Sequence, residues 1–220
     1  VHRQLQAQAV PLGLRFGPDP STHTRCTIGG MIGNNACGSR ALGYGRTVDN
    51  VEAMRTLLAD GSVVEQTTAL DKLVDDNLGL IRTEFGRFGR QVSGYSFEHL
   101  LPENERRFDR FLVGTEGTLG VVLEATVRLV ADAPYRALAV LGYPSMAAAA
   151  DAVPTLLAHP LVACEGLDDR IARLVPGRPE LPAGAGWIFA EVTADSAGEA
   201  RELAEAVVKT AGVPAQVVTD

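Results

Sequence analysis

The sequence is short of cysteine, positive charge and long apolar runs, and each shortage excludes a class of protein. Cys26, Cys37 and Cys164 are its only cysteines; they form no Cys-x-x-Cys pair and cannot all be paired internally. That argues against a disulfide scaffold and for a reduced, cytoplasmic setting. Twenty Lys and Arg stand against 27 Asp and Glu, a net charge of -7. A duplex nucleic-acid binder needs a basic face to displace counterions from phosphate, so that class is set aside. Phosphate binding by backbone amides stays open, because it requires no charged side chain. No apolar run approaches the roughly 20 residues of a membrane helix. The opening VHRQLQAQAVPLG contains no signal-peptide h-region, and there is no initiator Met, so the chain reads as a piece of something longer.

What is present supports a folded protein. With 220 residues, 46% hydrophobic and 21% charged, the chain can form a packed core in one sizeable domain or two small ones. Its 23 glycines exceed the average share of about 7% and are clustered. A Gln/Ala-rich stretch holding Leu5, Val10 and Leu12 predicts a short helix broken by Pro11 and Gly13, and GPDPST forces an extended turn. From Ile28 to Gly45 glycine is too frequent for one regular element throughout. VDNVEAMRTLLADGSVVEQ reads as two strands joined at Asp60-Gly61. Leu70, Leu73, Val74 and Leu78 carry helical spacing up to a stop at Gly79. Val121, Leu123, Ala125, Val127 and Leu129 alternate with polar residues, which predicts a half-buried strand with those five turned inward.

Composition changes near Pro134. The order beyond it is strand (137–143), helix (145–157), strand (161–166), short helix (169–175), strand (187–193) and helix (196–211). Ser196 is the expected N-cap of the last helix, with Glu199 completing a capping box. The alternation is α+β of split βαβ type, and a domain boundary at about residue 133 follows.

The glycine segment TIGGMIGNNACGSRALGYGR brings backbone amides together with the small polar donors Asn34, Asn35 and Ser39. Such a segment suits an anion cradle and equally suits a bend that packs two backbones together. Two familiar phosphate motifs fail on it. Gly33 and Gly38 have P-loop spacing, but Ser39-Arg40 stands where Lys-Ser/Thr is needed. Gly43 and Gly45 begin a dinucleotide fingerprint, but Val48 occupies the third glycine position. Arg40 and Arg46 suit either a phosphate contact or a solvated face. Cys37 reads as a small buried thiol ahead of a ligand contact. Trp187 reads as core, and the acidic residues Glu199, Glu202 and Glu205 as a solvated helix face.

PDPST, TIGGMIGNNACGS, YGRTVDNV, VSGY and VGTEGTLGVVLEATVRLV, in this order and spacing, resemble the FAD-linked oxidases of the vanillyl-alcohol oxidase type. The branch is the one containing the glycolate oxidase FAD subunit, D-lactate dehydrogenase and D-2-hydroxyglutarate dehydrogenase. The resemblance covers about residues 10 to 135 well and the rest loosely. The words SRALGYGRT and IRTEFGRFGRQ are closest to larger members with a downstream iron–sulfur region.

The resemblance implies the second lobe of a PCMH-type FAD-binding domain over 1–133, then part of a ferredoxin-like α+β cap domain over 134–220. It implies FAD as cofactor, with Gly29, Gly30, Asn34, Asn35, Ala36, Gly38 and Ser39 lining the pyrophosphate and flavin side. Pro18, Asp19 and Ser21 would form the approach, Tyr44 and Gly45 the far wall. Gly114, Glu116, Gly117, Gly120 and Val121 would contact the cofactor from the second glycine turn, Val121 near adenine. Thr115 stands where the family usually has Ser. The implied activity is oxidation of a small 2-hydroxy acid to the 2-oxo acid by hydride transfer to flavin, with electrons passed on to an acceptor.

The family's N-terminal FAD lobe and the histidine-rich metal region of its cap have no counterpart here. His2, His23, His99 and His159 do not cluster with carboxylates at ligand spacing, so no metal is assigned. The base and the substrate-carboxylate clamp are expected outside this chain, so no catalytic residue is named. The fragment alone is expected to be inactive. An electron-transfer partner is the route to any membrane association. The rival reading is a non-catalytic α/β nucleotide-binding or interaction module.

Overall fold

In a computed structural model that describes residues 1–88, 93–177 and 179–219, the chain divides into two units. The first comprises Val1–Gly38 and Gly45–Val130, the second Ser39–Tyr44 and Ala131–Asp220. The ends of the words IRTEFGRFGRQ and the first residue of VSGY (residues 89–92) lie outside the described residues.

The first unit opens with α1 (His2–Ala9), which Pro11 and Gly13 end as expected, Gly13 taking φ +69. β1 (Leu14–Phe16) follows. The glycine-rich segment is then more ordered than its composition suggests, because Thr27 caps a two-turn helix, α2 (Ile28–Asn34), its hydroxyl accepting the Gly30 N–H at 3.0 Å. α3 (Ala41–Tyr44) belongs to the second unit.

β2 (Val51–Leu58) and β3 (Val63–Val64) form the expected hairpin at Asp60-Gly61. Asp60 there accepts both the Ser62 N–H at 2.9 Å and its hydroxyl at 2.6 Å. The single helix expected up to Gly79 is instead two, α4 (Asp71–Asp76) and α5 (Leu78–Glu84). The break falls at Asn77, whose side-chain amide donates to the Leu73 carbonyl and competes with helix continuation, while Gly79 lies inside α5.

α6 (Phe108–Leu112) precedes β4 (Gly120–Val127), the edge strand of an antiparallel β3-β2-β4 sheet. β5 (Leu129–Ala131) pairs with β1. The expected facing of β4 is wrong over its first half: Val121 and Leu123 are exposed, and Val122 turns to the core. Register explains it. Arg55 pairs with Glu124 but Thr56 with Val122, so Leu123 is an extra residue that reverses the alternation. The core of this unit gathers Ile32 from α2, Val51 and Met54 from β2, Val74 and Ile81 from α4 and α5, and Phe111 and Leu112 from α6.

The second unit is a β-α-β-β-α-β fold: β6 (Tyr135–Tyr143), α7 (Met146–Leu156), β7 (Ala163–Asp168), β8 (Gly186–Ala194), α9 (Ala197–Ala211) and β9 (Ala215–Thr219). A short helix, α8 (Asp169–Ala172), follows β7. The antiparallel sheet order β7-β8-β6-β9 is the ferredoxin-like one, and β9 completes it; that strand was not anticipated. Ser145 and Ser196 cap α7 and α9, each hydroxyl accepting an N–H three residues on at 3.2 Å. The helices bury alanines (Ala149, Ala200, Ala204) against Ala139, Leu141, Ile188 and Val192 of the sheet. Trp187 is core as expected, its indole N–H donating to the Pro182 carbonyl at 2.8 Å.

Candidate functional site

In the first unit the two glycine turns come together because one satisfies the other's backbone. A helix leaves its last carbonyls without intrahelical partners. At the end of α2 the Ile32 carbonyl accepts the Gly114 N–H and the Gly33 carbonyl accepts the Glu116 N–H, both at 2.9 Å. The Met31 carbonyl takes the Ala36 N–H at 2.9 Å, as Asn35 turns the chain at φ +46. Glu116 is itself held at φ +53, a left-handed conformation that costs a non-glycine residue about 1–2 kcal/mol. Its side chain accepts from Asn34 Nδ2 at 3.4 Å. The stitch fixes residues 29–36 beside residues 114–122.

Two adjoining cavities open along this seam and share Asn34, Thr115 and Glu116. One, of about 450 Å³, is lined by Gly29, Gly30, Gly33, Gly117, Gly120 and Val121 among others. The other, of about 640 Å³, is lined by Asn34, Asn35, Ala36, Cys37, Gly114 and, opposite, Arg46, Tyr95, Ser96 and Thr118. Glycine backbone, side-chain amides and hydroxyls recur in both linings, while Leu112, Val121 and Val122 make the smaller cavity largely apolar. Thr118 donates its only hydroxyl proton to the Thr115 carbonyl at 2.6 Å. In the 3.0 Å contact between the Tyr95 and Thr118 hydroxyls, Tyr95 must therefore be the donor.

Ten of the expected site residues thus line one cleft: Gly29, Gly30, Asn34, Asn35, Ala36, Gly114, Glu116, Gly117, Gly120 and Val121. The others stand elsewhere. Pro18 is buried and its carbonyl meets His2 Nε2 at 2.9 Å; Asp19 packs against Gly38, and Ser21 is exposed. Their neighbours Pro20 and Thr22 line the larger cavity instead. Gly45 packs on Asp49, while Ser39 and Tyr44 belong to the second unit. Sequence reasoning passed over Gly33, Thr56, Tyr95, Ser96 and Thr118 as lining residues. Gly33 and Thr118 sat inside the two glycine words and were within reach; Thr56 and Tyr95 carried no signal.

The two arginines left open by the sequence separate clearly. In the second unit Arg40 is bound bidentately by Glu191, Nε to Oε1 at 2.6 Å and Nη2 to Oε2 at 3.0 Å. Arg46, on the wall of the larger cavity, has its Nε 3.6 Å from Asp49, beyond hydrogen-bond range. Beside it, burial pushes the Glu98 carboxyl up, against the opposing influence of Arg46 and Ser96. Burial holds His99 below the ordinary histidine value, and the charges of Arg110 and Arg46 act in the same direction. No group of three or more His, Cys, Asp or Glu among the described residues could hold a metal ion.

The glycines test whether the cleft suits an extended ligand. A Cβ at Gly29 would meet no protein atom within 4 Å, and one at Gly33 would come no nearer than 3.9 Å to Glu116. Packing therefore does not demand glycine at either place. What those missing side chains leave is room in the cleft, as a bound nucleotide would need.

Comparison with known proteins gives two family matches: an FAD binding domain over residues 1–67 and the C-terminal domain of FAD linked oxidases over residues 133–219. Both descriptions name FAD. The D-2-hydroxyglutarate dehydrogenase of Pseudomonas putida is 31% identical over 79% of this chain and 20% of its own length. The D-lactate dehydrogenase of Archaeoglobus fulgidus is 31% identical over 93% of this chain and 41% of its own. The glycolate oxidase subunit GlcD of Bacillus subtilis is 33% identical over 68% and 26%. Among solved structures, an alkyldihydroxyacetonephosphate synthase matches 99% of the chain with a TM-score of 0.64 at 15% identity, a likeness of fold. The chain spans about a fifth of the length of the D-2-hydroxyglutarate dehydrogenases it matches. Among the described residues no helix is long and apolar enough to cross a membrane.

Proposed function

This chain belongs to the FAD-linked oxidase family, and on that premise we propose that it is a segment of a flavoenzyme oxidising a small 2-hydroxy acid to the 2-oxo acid. Residues 1–133 are the C-terminal part of the PCMH-type FAD-binding domain, and 134–220 the N-terminal part of the cap domain. The observation that carries the reading is the stitched cleft, where α2 and the 114–122 turn share hydrogen bonds and glycine leaves space that packing does not require.

FAD, when bound, supplies the acceptor for the two electrons leaving the substrate. This chain's part is to hold and orient it. Gly29, Gly30, Asn34, Asn35 and Ala36 form one wall; Gly114, Glu116, Gly117, Gly120 and Val121 form the other. Pro18, Asp19, Ser21, Gly38 and Gly45 support those walls from behind, Asp19 and Gly38 through their mutual packing. The base and the groups that clamp the substrate carboxylate belong to segments beyond this chain. The remaining partners are the upstream FAD lobe, a hydroxy-acid substrate and an electron acceptor, with a downstream iron–sulfur region as the route for electrons. The enzyme works in the cytoplasm and reaches any membrane through that route.

The test is to titrate the purified 220-residue chain with FAD, ATP and NAD, following flavin fluorescence and melting temperature. Saturable binding of FAD in preference to ATP and NAD supports the reading; preference for ATP or NAD, or no binding of FAD, counts against it. Dye reduction by this chain with D-lactate, glycolate or D-2-hydroxyglutarate would refute the division of labour, which leaves the catalytic base outside it.

A further inference from the structure

The geometry points to Arg46 as the anchor of an oxyanion subsite in the larger cavity, a role no comparison assigns to it. It is the one cationic side chain lining either cavity of the cleft among the described residues. The inference rests on the flavin reading for the identity of its ligand, but not for its existence.

Arginine carries five N–H donors in a fixed fork, and donors that the protein leaves unbonded on a cavity wall are open to a ligand. The Arg46 side chain is only 21% exposed. Asp49, its nearest counter-charge, uses Oδ2 to accept the Arg46 backbone N–H at 2.8 Å, which leaves that oxygen 3.6 Å from Nε. Among the described residues no guanidinium N–H of Arg46 donates a hydrogen bond. Arg40 shows the contrasting case, with its fork closed on a carboxylate. Asn35 adds a second donor to the same wall, since its Oδ1 is committed to the Val48 N–H at 3.1 Å and its NH₂ remains.

The cavity is polarised. Arg46 and Asn35 present donors, whereas the Glu116 carboxylate lies where the two cavities meet. An oxyanion is drawn to the donors of Arg46 and Asn35, an attraction the Asp49 carboxylate 3.6 Å from Nε offsets in part, and is repelled from the Glu116 end, which orients a ligand that is charged at one part and neutral along the rest. Two sources fit that chemistry: a phosphate of the cofactor, or a substrate carboxylate.

The experiment titrates the 220-residue chain with inorganic pyrophosphate and, separately, oxalate, observing the Arg46 Nε–Hε resonance and backbone amides by NMR. Arg46→Gln and Arg46→Lys are measured alongside, with melting temperatures to confirm folding. The expected result is that one oxyanion shifts Arg46 Nε–Hε at millimolar concentration. Arg46→Gln should weaken it at least about tenfold, and Arg46→Lys retain most of it. Pyrophosphate as the better ligand identifies a cofactor phosphate, oxalate a substrate carboxylate. If neither oxyanion moves the Arg46 resonance, or Arg46→Gln binds as the unchanged chain does, the inference is wrong. Should Arg46→Gln fail to fold, the resonance in the unchanged chain decides alone. FAD titration of the same variants separates the two readings. Oxyanion binding without FAD binding sinks the flavin assignment and leaves the subsite. FAD binding with no oxyanion response at Arg46 does the reverse.

Discussion

Replacing Gly29 with alanine separates what the fold needs from what a ligand needs. Gly29 lies in the first turn of α2, has ordinary helical backbone, and offers a Cβ no protein neighbour within 4 Å. Glycine inside a helix costs roughly 0.5–1 kcal/mol relative to alanine, and the first turn takes the lower part of that range. Gly29→Ala should therefore raise the melting temperature of the free chain by about 1–4 °C. The same methyl stands on the wall of the smaller cavity, so a ligand seated against α2 must move or lose contact. FAD affinity should fall at least about tenfold, the scale of one displaced close contact. Melting curves without ligand and fluorescence titrations with FAD give the two numbers. Unchanged FAD affinity in a stabilised Gly29→Ala chain would show that the space beside α2 is not ligand space. A lowered melting temperature would show that the local packing is misjudged.

Three further outcomes follow from the same structure. At Gly38 a Cβ would run into the Asp19 carboxylate and backbone, so Gly38→Ala, unlike Gly29→Ala, should destabilise by about 1–3 kcal/mol or more in denaturant melts. Glu191→Gln leaves the Arg40 guanidinium without its bidentate acceptor at a site where both side chains are about four-fifths buried. A loss of about 1–3 kcal/mol, recovered in part when Arg40→Gln is added, is the expected double-mutant result. For pH, His2 and His99 are both held below the ordinary histidine value by burial, so the folded chain prefers them neutral. Their contribution is complete above about pH 6.5 and is lost as the pH falls through that value toward their lowered folded values. Glu98, held up by burial, acts oppositely by taking a proton more readily when folded. Thermal stability should fall between pH 7 and 5, and less steeply in His99→Gln; an unchanged slope in that variant would remove His99 from the account.

Much of the second unit was legible because its signals are local: short apolar runs in β6 and β8, serine caps, and alanine-rich helices. Only β9 escaped, as AQVVT is too short to carry a period. The first unit was harder to read where pairing decides. The facing of β4 depends on the extra residue at Leu123, and that appears only once β2 is laid beside it. Asn77 ends α4 through a side-chain bond that spacing does not reveal. In the site, the glycine words marked both walls of the cleft, where Gly29 and Gly33 leave room that packing does not require. The difference between Arg40 and Arg46 was invisible in sequence because it turns on Glu191, 151 residues from Arg40.

The central claim is that α2 and the 114–122 turn together form part of an FAD site. Amide NMR of the 220-residue chain during FAD titration tests it most directly. The account predicts saturable shifts concentrated at Gly29, Gly30, Gly33, Gly114, Glu116 and Gly117, with the helices of the ferredoxin-like unit unmoved. Shifts confined to that second unit, or no response to FAD at millimolar concentration, would contradict it.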